Sequence, residues 1–316
     1  MRARFDPVAD GAPRPRWSVM IPTYNCARFL AETLTSVLAQ DPGPETMQIE
    51  VVDDASSDDP AAVVEAVGRG RVGFFRQPMN QGHIANFATC IARSRGEIVH
   101  LLHGDDCVRP GFYAALGRGF ADDPAIGAAF CRWKMIDEAG ATLSDAPPER
   151  AAAGRLDDAL ARLASEQRIV TPSIAVRRGV YERLGGFDPR LACAEDWEMW
   201  VRIAADFPIW YEPQLLAVYR SHADSNTGRH LGNAEELRFS ALAIELFKPL
   251  LPAGRADAIA RRARRTYAHT ALGNARGFAK AGERRAMRAH LAMALRLAPG
   301  PTTLLAAARI LLGSGR

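Results

Sequence analysis

The 316-residue sequence has no apolar run close to the ~18–20 residues that a helix needs to cross a bilayer. The stretch from Met1 to Trp17 also lacks the apolar centre of a signal peptide. These two absences lead us to expect a cytoplasmic protein. The five cysteines are scattered and form no CxxC pair, so we expect reduced thiols, not a disulfide framework or a zinc site.

A glycine-rich phosphate loop is also missing after the first predicted strand. Neither GxGxxG nor GxxxxGKS/T follows Ile21. In proteins that carry those loops, the start of a helix holds the phosphates. We therefore expect any phosphates bound here to be held by a metal ion.

Charge is distributed unevenly along the chain, although its net value is only +4. Residues 254–316 hold 13 Arg and Lys against two acids, a balance of +11, and the rest of the chain carries −7. This basic C-terminal region indicates an anionic partner surface. Its helix-patterned segments, including Leu304–Leu312, allow two interpretations: peripheral attachment to the inner face of a membrane, or a structural helical cap. We expect no nucleic-acid partner.

Short apolar segments alternate with helix-patterned segments over the first hundred residues. We predict strands at 17–21, 49–52, 72–75 and 98–102, with amphipathic helices between them. This alternation is typical of an α/β, doubly wound, mostly parallel sheet. Later strands are predicted at 125–133, 173–176 and 215–219, with a mobile loop at 144–154 and an all-helical C-terminal segment from residue 233.

Four polar clusters fall at predicted strand ends or loop tips: Pro22–Asn25, Asp53–Asp59, His103–Asp106 and Glu195–Asp196. Three of them share one edge of the sheet, where open α/β sheets bind ligands. The adjacent carboxylates Asp105 and Asp106 repel each other unless a cation or a hydrogen-bond network offsets their charge. A divalent metal that also holds a diphosphate would do so. Taken singly, each cluster has a structural alternative. Tyr24 could cover the sheet edge, and Asp53 and Asp54 could be turn residues. The pair at 105–106 could cap a helix, and the pair at 195–196 could be favourable charges at a helix N-terminus.

Several motifs, in order along residues 17–225, resemble family 2 glycosyltransferases, which have the GT-A fold. The segments Ser18–Asn25, Glu32–Gln40 and Val51–Asp58 resemble the opening of that family. The segments Gly185–Asp188 and Glu195–Trp200 resemble its acceptor-side half, and Tyr219-Arg220-x-His222 resembles the end of its catalytic domain.

This resemblance implies a nucleotide-sugar donor, a divalent metal (Mn²⁺ or Mg²⁺) and inverting transfer to an acceptor hydroxyl. Matched by position, the nucleotide-binding residues would be Pro22, Tyr24, Asn25, Asp54 and Asp105. Tyr24 would stack on the base and Asp54 would accept a hydrogen bond from it.

The same match assigns the chemistry to a few side chains. Asp106 would be the direct metal ligand with Asp105 beside it, and His222 is a candidate for a further metal or phosphate contact. Asp196 would be the general base on the acceptor hydroxyl, with Glu195 or Arg220 tuning it.

His103 departs from the family pattern, since it replaces the first Asp of Asp-x-Asp-Asp. Imidazole is a poorer ligand for Mg²⁺ than carboxylate but is acceptable to Mn²⁺. His103 could instead contact the ribose or a phosphate, and Arg220 is a candidate for a phosphate or metal contact. His222 has a structural role as its alternative.

We therefore predict a metal-dependent inverting glycosyltransferase of hexosyltransferase type, with a UDP-sugar favoured as donor. Its acceptor would be a glycan or a lipid-linked intermediate in cell-surface polysaccharide or glycolipid assembly. The alternatives are a nucleotidyltransferase and a non-catalytic nucleotide-sugar or glycan-binding protein. The expected organisation is a loose segment (1–16), a GT-A catalytic domain (17–232, with halves 17–106 and 107–232) and a helical region (233–316).

Overall fold

The computed structural model describes residues 1–9, 11 and 14–313, apart from the side chain of Thr227. The chain divides into two compact units. The first unit comprises Met1–Ala159, Arg168–Pro189 and Asp206–Ser221, and the second comprises Leu160–Gln167, Arg190–Ala205 and His222–Arg316.

The first unit is built on one sheet, to which the described residues contribute ten strands. These are β1 Trp17–Thr23, β2 Met47–Asp53, β3 Gly73–Arg76, β4 Ile98–Leu101, β5 Cys107–Val108, β6 Ala128–Ile136, β7 Thr142–Asp145, β8 Gly154–Arg155, β9 Ile174–Arg177 and β10 Ile209–Arg220. Their order is β3-β2-β1-β4-β9-β6-β10-β5, with β7 paired to β6 and β8 paired to β10.

Twelve α-helices occur in the described residues. They are α1 Ala27–Leu38, α2 Pro60–Gly68, α3 His83–Arg93, α4 Phe112–Asp122, α5 Ala159–Ser165, α6 Arg178–Leu184, α7 Glu195–Asp206, α8 Asn226–Leu231, α9 Glu235–Phe247, α10 Ala256–Lys280, α11 Arg284–Leu297 and α12 Pro301–Gly313. In the part of the chain that the structure describes, no helix has both the length and the apolar character needed to cross a membrane.

The first half of the sheet follows the predicted alternation. Strand β1 is buried along its whole length and pairs in parallel with β2 on one side and β4 on the other. Val19 and Ile21 pack in one core cluster with Leu30 and Leu34 of α1, whose spacing predicts that apolar face. The parallel pairing brings the carboxyl ends of β1, β2 and β4 to one edge.

The later half of the sheet is mainly antiparallel. Strand β9 pairs antiparallel with both β4 and β6, and only β10 and β6 run parallel there among the described strands. The segment 144–154, expected as a mobile loop, begins within β7 and ends at the start of β8. These short strands carry little period-two pattern, so they acquire their conformation from pairing with β6 and β10.

The N-terminal segment makes contacts that its composition does not predict. Phe5 is 8% exposed, and the carbonyl of Ala3 accepts a 2.9 Å hydrogen bond from the Gly186 amide. Arg2 forms a 3.1 Å ion pair with Asp188. Residues 2–5 are therefore attached to the loop after α6.

The second unit has its own apolar core, formed by α9 to α12. Helix α7 belongs to this unit because Trp197 packs edge-on against Phe247 at 5.0 Å and lies 4.9 Å from the Tyr267 ring. The domain boundary expected at residue 232 stays a prediction.

Candidate active site

The loop after β4 is held against the loop after β1. The amide of Leu102 donates a 3.0 Å hydrogen bond to the carbonyl of Met20. The amide of Gly104 donates a 3.1 Å hydrogen bond to the carbonyl of Pro22. A Cβ at Gly104 would lie 2.9 Å from Oγ1 of Thr23, so only glycine allows this approach. The backbone contact fixes the position of the residues on either side of Gly104.

Three potential metal ligands converge on this loop. The ligand atoms of His103, Asp105 and Asp106 lie within 4.8 Å of one another. Oδ1 of Asp106 accepts a 2.8 Å hydrogen bond from the Arg220 amide. Its Oδ2 lies 3.5 Å from Nδ1 of His103 and accepts no hydrogen bond from the described residues.

The electrostatics of this cluster fit a divalent cation. Burial raises the pKa of Asp106 to about 6, and the charge of Asp105 adds to the rise, while His103 opposes it. A buried carboxylate oxygen without a donor is costly unless a cation satisfies it. One imidazole and two carboxylates are a donor set that can hold a divalent metal ion. The residues present therefore fit the predicted metal.

The Arg220 guanidinium holds the same loop from the end of β10. Nε donates to the Asp105 carbonyl at 3.0 Å, Nη1 donates to the Glu138 carbonyl at 3.2 Å, and Nη2 pairs with Glu32. The guanidinium carbon lies 4.7 Å from the centre of the Phe29 ring. These contacts make Arg220 a positioning residue for the acidic pair, and its contact with phosphate or metal stays a prediction.

The loop after β1 is tied to the loop after β2. Asn25 has a φ of 53°, which Asn tolerates better than most residues. Its Oδ1 accepts a 2.7 Å hydrogen bond from the Ser57 amide, and its own amide donates to Oγ of Ser56 at 2.9 Å. Beside it, Tyr24 is 40% exposed while Pro22 is buried. A fixed loop thus presents an exposed aromatic ring.

The two acids after β2 have different partners. Asp53 is fully buried, accepts hydrogen bonds from Ser56 and pairs with Arg76 at 3.4 Å. Asp54 accepts the amides of Gln81 and Gly82 at 2.8 and 2.9 Å, and burial raises its pKa. Asp54 therefore holds the segment that leads into α3. Its contact with the base stays a prediction.

Glu195 and Asp196 lie in the second unit at the start of α7. Oδ2 of Asp196 accepts a 2.7 Å hydrogen bond from the Gln167 side chain, and Oδ1 accepts the Trp197 amide at 2.7 Å. Glu195 is 7% exposed. The indole nitrogen of Trp197 donates to the Leu163 carbonyl at 2.6 Å, which fixes the first turn of the helix. Asp196 is thus a carboxylate held in one orientation.

His222 also belongs to the second unit. Its carbonyl accepts a 3.1 Å hydrogen bond from the Ser225 amide, in the turn before α8. The cluster of candidate ligands in the first unit includes His103 and not His222. The predicted contact of His222 with metal or phosphate stays a prediction.

Sequence reasoning gave no role to three residues that contact the predicted site residues. Glu32 pairs with Arg220, Gln167 holds Asp196, and Phe87 stacks on His103. Glu32 lies in a segment that resembles the family, which is a usable signal. No such sequence signal marks Gln167 or Phe87 as site residues, because each reaches the site through a tertiary contact.

Comparison with known sequences agrees with the motifs. Residues 18–185, more than half of the chain, match the family described as "Glycosyl transferase family 2". An uncharacterized protein of Mycobacterium tuberculosis is 29% identical over 240 residues, covering 70% of this chain and 72% of the relative. An uncharacterized glycosyltransferase of Rickettsia typhi is 25% identical over 231 residues, covering 70% and 69%.

Comparison with solved structures agrees with the predicted fold. TarS 1-349 of S. aureus, in complex with UDP-GlcNAc, has a TM-score of 0.70 at 17% identity, covering 95% of this chain and 89% of that one. The mannosyltransferase PcManGT from Pyrobaculum calidifontis, in complex with GDP-Man and Mn²⁺, has a TM-score of 0.57 at 22% identity, covering 98% and 82%. The predicted GT-A fold is therefore confirmed.

Proposed function

This chain belongs to glycosyl transferase family 2, as its motifs predict, and we propose that it transfers a sugar from a UDP-sugar to an acceptor hydroxyl in a metal-dependent, inverting reaction. Glycosyltransferase activity with a nucleotide-sugar donor follows from the family. The metal, the UDP preference, the inversion and the acceptor are our proposals.

The cluster of His103, Asp105 and Asp106 carries the proposal of metal dependence. A divalent ion bound there would act as a Lewis acid on the departing diphosphate. Other residues hold these ligands in position. Gly104 allows the close approach of the loop to β1. The backbone amide of Arg220 holds Asp106, and the Arg220 guanidinium holds the carbonyl of Asp105. PcManGT, which is similar in fold, was solved with Mn²⁺.

The donor would lie along the loops after β1 and β2. Tyr24 offers an exposed ring for stacking on the base, next to Pro22 and Asn25. Asp54 holds the Gln81–Gly82 amides, and each of its oxygens keeps a second lone pair that could accept from the base. UDP is favoured because TarS, at the higher TM-score, was solved with UDP-GlcNAc, whereas PcManGT was solved with GDP-Man.

We assign the general base to Asp196. One base and one in-line displacement invert the configuration of the transferred sugar, and the carboxylate of Asp196 takes the hydroxyl proton. Gln167 and the Trp197 amide hold its two oxygens, so the base is oriented before the acceptor binds. Glu195, buried beside it, would tune its affinity for the proton.

The acceptor would be a glycan or a lipid-linked intermediate of cell-surface assembly, reached by peripheral attachment to the inner face of a membrane. Helix α12 buries Ala307 and Ile310, while four leucines on another face are 47–79% exposed: Leu304, Leu305, Leu311 and Leu312. The +11 balance of residues 254–316 would attract an anionic lipid surface.

A donor screen tests the proposed function. The full chain is incubated with UDP- and GDP-sugars in Mn²⁺ or Mg²⁺, and release of the nucleoside diphosphate is followed. We expect hydrolysis of one or a few UDP-sugars. Release of a sugar 1-phosphate in place of the nucleoside diphosphate would indicate a nucleotidyltransferase, and binding of donor without turnover would indicate a non-catalytic protein.

A further inference from the structure

The imidazole of His103 lies against an aromatic ring. It is nearly parallel to the Phe87 ring, with an interplanar angle of 11° and ring centres 5.2 Å apart. With the ring in this plane, Nδ1 of His103 lies 3.5 Å from Oδ2 of Asp106. The stacking contact and the direction of the nitrogen are therefore linked.

Phe87 is itself held from two sides. It lies on α3 and is 5% exposed. His83 contacts it edge-on at 5.5 Å and 77°, and Phe187 contacts it at 5.3 Å and 63°. These contacts leave the Phe87 ring little room to tilt.

The loop that carries Phe187 is fastened in turn. The Gly186 amide donates to the Ala3 carbonyl at 2.9 Å, and Nε of Arg2 donates to Asp188 at 3.2 Å. Gly185 has a φ of 76°, which suits glycine. A series of contacts thus runs from residues 2–3 through Phe187 and Phe87 to His103.

We propose that Phe87 is a positioning residue for His103, and that this stack makes the cluster of His103, Asp105 and Asp106 prefer Mn²⁺ to Mg²⁺. The inference rests on the proposed metal dependence. A carboxylate has two equivalent oxygens and binds over a range of orientations. An imidazole binds through one lone pair in its ring plane, so its ring must be aimed. Fixing that plane lets a nitrogen ligand replace the aspartate that is usual in the family.

A space-filling role for Phe87 makes a different prediction. If Phe87 only fills space, replacing it with a smaller side chain lowers the stability of the protein, whatever residue stands at position 103. A positioning role acts through the imidazole, so its effect on metal binding must vanish when position 103 carries a carboxylate.

The test measures binding of Mn²⁺ alone by electron paramagnetic resonance, with the metal titrated into the millimolar range. Four full-length proteins are compared: wild type, Phe87→Leu, His103→Asp and the double variant. Where His103 is kept, we expect Phe87→Leu to weaken Mn²⁺ binding about tenfold, a typical effect of losing a group that orients a ligand. In the His103→Asp background we expect no change. The control is Phe120→Leu, a 4% exposed phenylalanine that packs on Trp17, and it should leave Mn²⁺ binding unchanged.

Competition with Mg²⁺ gives a second readout, in which Phe87→Leu lowers the preference for Mn²⁺. If Phe87→Leu does not fold, Phe187→Leu takes its place, with a smaller loss in the same direction. Equal Mn²⁺ affinity in the wild type and Phe87→Leu, equal losses in both backgrounds, or no Mn²⁺ binding by the wild type would overturn the inference. Sugar transfer is assayed separately. An active enzyme whose Mn²⁺ affinity does not depend on Phe87 would refute the role of Phe87 and leave the proposed function standing.

Discussion

The backbone amide of Arg220 donates a 2.8 Å hydrogen bond to Oδ1 of Asp106, although the two residues are 114 positions apart. Arg220 ends β10, and Asp106 follows β4 at the edge that the parallel strands define. The later half of the sheet therefore positions the acidic pair that the first half presents.

Asp196→Asn should separate donor binding from chemistry. The amide keeps the size of the side chain but cannot take the hydroxyl proton, so we expect near-normal donor affinity and a transfer rate lowered about 10²–10⁴-fold. Calorimetry measures the first and a product assay the second. Asp206→Asn, at the other end of α7, serves as the control. Equal losses of binding and transfer would make Asp196 structural.

His103→Asp should keep the enzyme active and shift its metal preference toward Mg²⁺. The change adds an oxygen ligand, which suits the harder ion, and restores the residue usual in the family. Rates at saturating Mn²⁺ and Mg²⁺ are compared for the wild type and the variant. An unchanged ratio would show that His103 does not contact the metal.

The strands β1, β2 and β4 and the polar residues after them could be predicted from sequence, because local periodicity and strand ends fix both. The short strands β5, β7 and β8 could not, since pairing rather than local pattern forms them. The same holds for Gln167 on Asp196 and for Phe87 on His103. These contacts join residues far apart in the chain, and no spacing rule connects them.

The buried carboxyl of Glu236 should make the stability of the protein depend on pH. Burial raises its pKa from 4.5 to about 7, so the folded protein keeps a proton that the unfolded chain has lost between those values. The contribution of Glu236 to stability therefore falls as pH rises from 4.5 to 7, by about 1–3 kcal/mol.

Urea unfolding of the wild type and Glu236→Gln across this range measures that contribution. The variant is needed because His290 lies 3.9 Å from Glu236 and has a lowered pKa. The contribution of His290 to stability rises with pH below 6.5, opposite to that of Glu236. We expect the stability of the wild type relative to Glu236→Gln to fall with rising pH. A constant difference would refute the shifted pKa.

The full chain should float with anionic vesicles at low salt and not with neutral ones. Each basic residue near such a surface contributes only about 1 kcal/mol, so binding needs several of them and the leucines of α12. Leu305→Ser with Leu312→Ser should abolish flotation, while Leu143→Ser, an exposed leucine of the first unit, should not. A protein that stays unbound with anionic vesicles would leave the C-terminal helices as a structural cap.

Asp106→Ala should abolish transfer and weaken donor binding, because it removes the buried carboxylate at the centre of the ligand cluster. Asp106→Asn keeps the size of the side chain and should lose activity in the same way. Asp122→Ala, an exposed acid at the end of α4, is the control and should be fully active.

The most direct test of the proposed function is the rate of sugar transfer by the wild type before EDTA, in EDTA and after Mn²⁺ is restored. We predict a loss of about 100-fold or more in EDTA, since Lewis-acid stabilisation contributes several kcal/mol, and recovery when Mn²⁺ is returned. Full activity in EDTA would contradict the assignment of His103, Asp105 and Asp106 as a metal site.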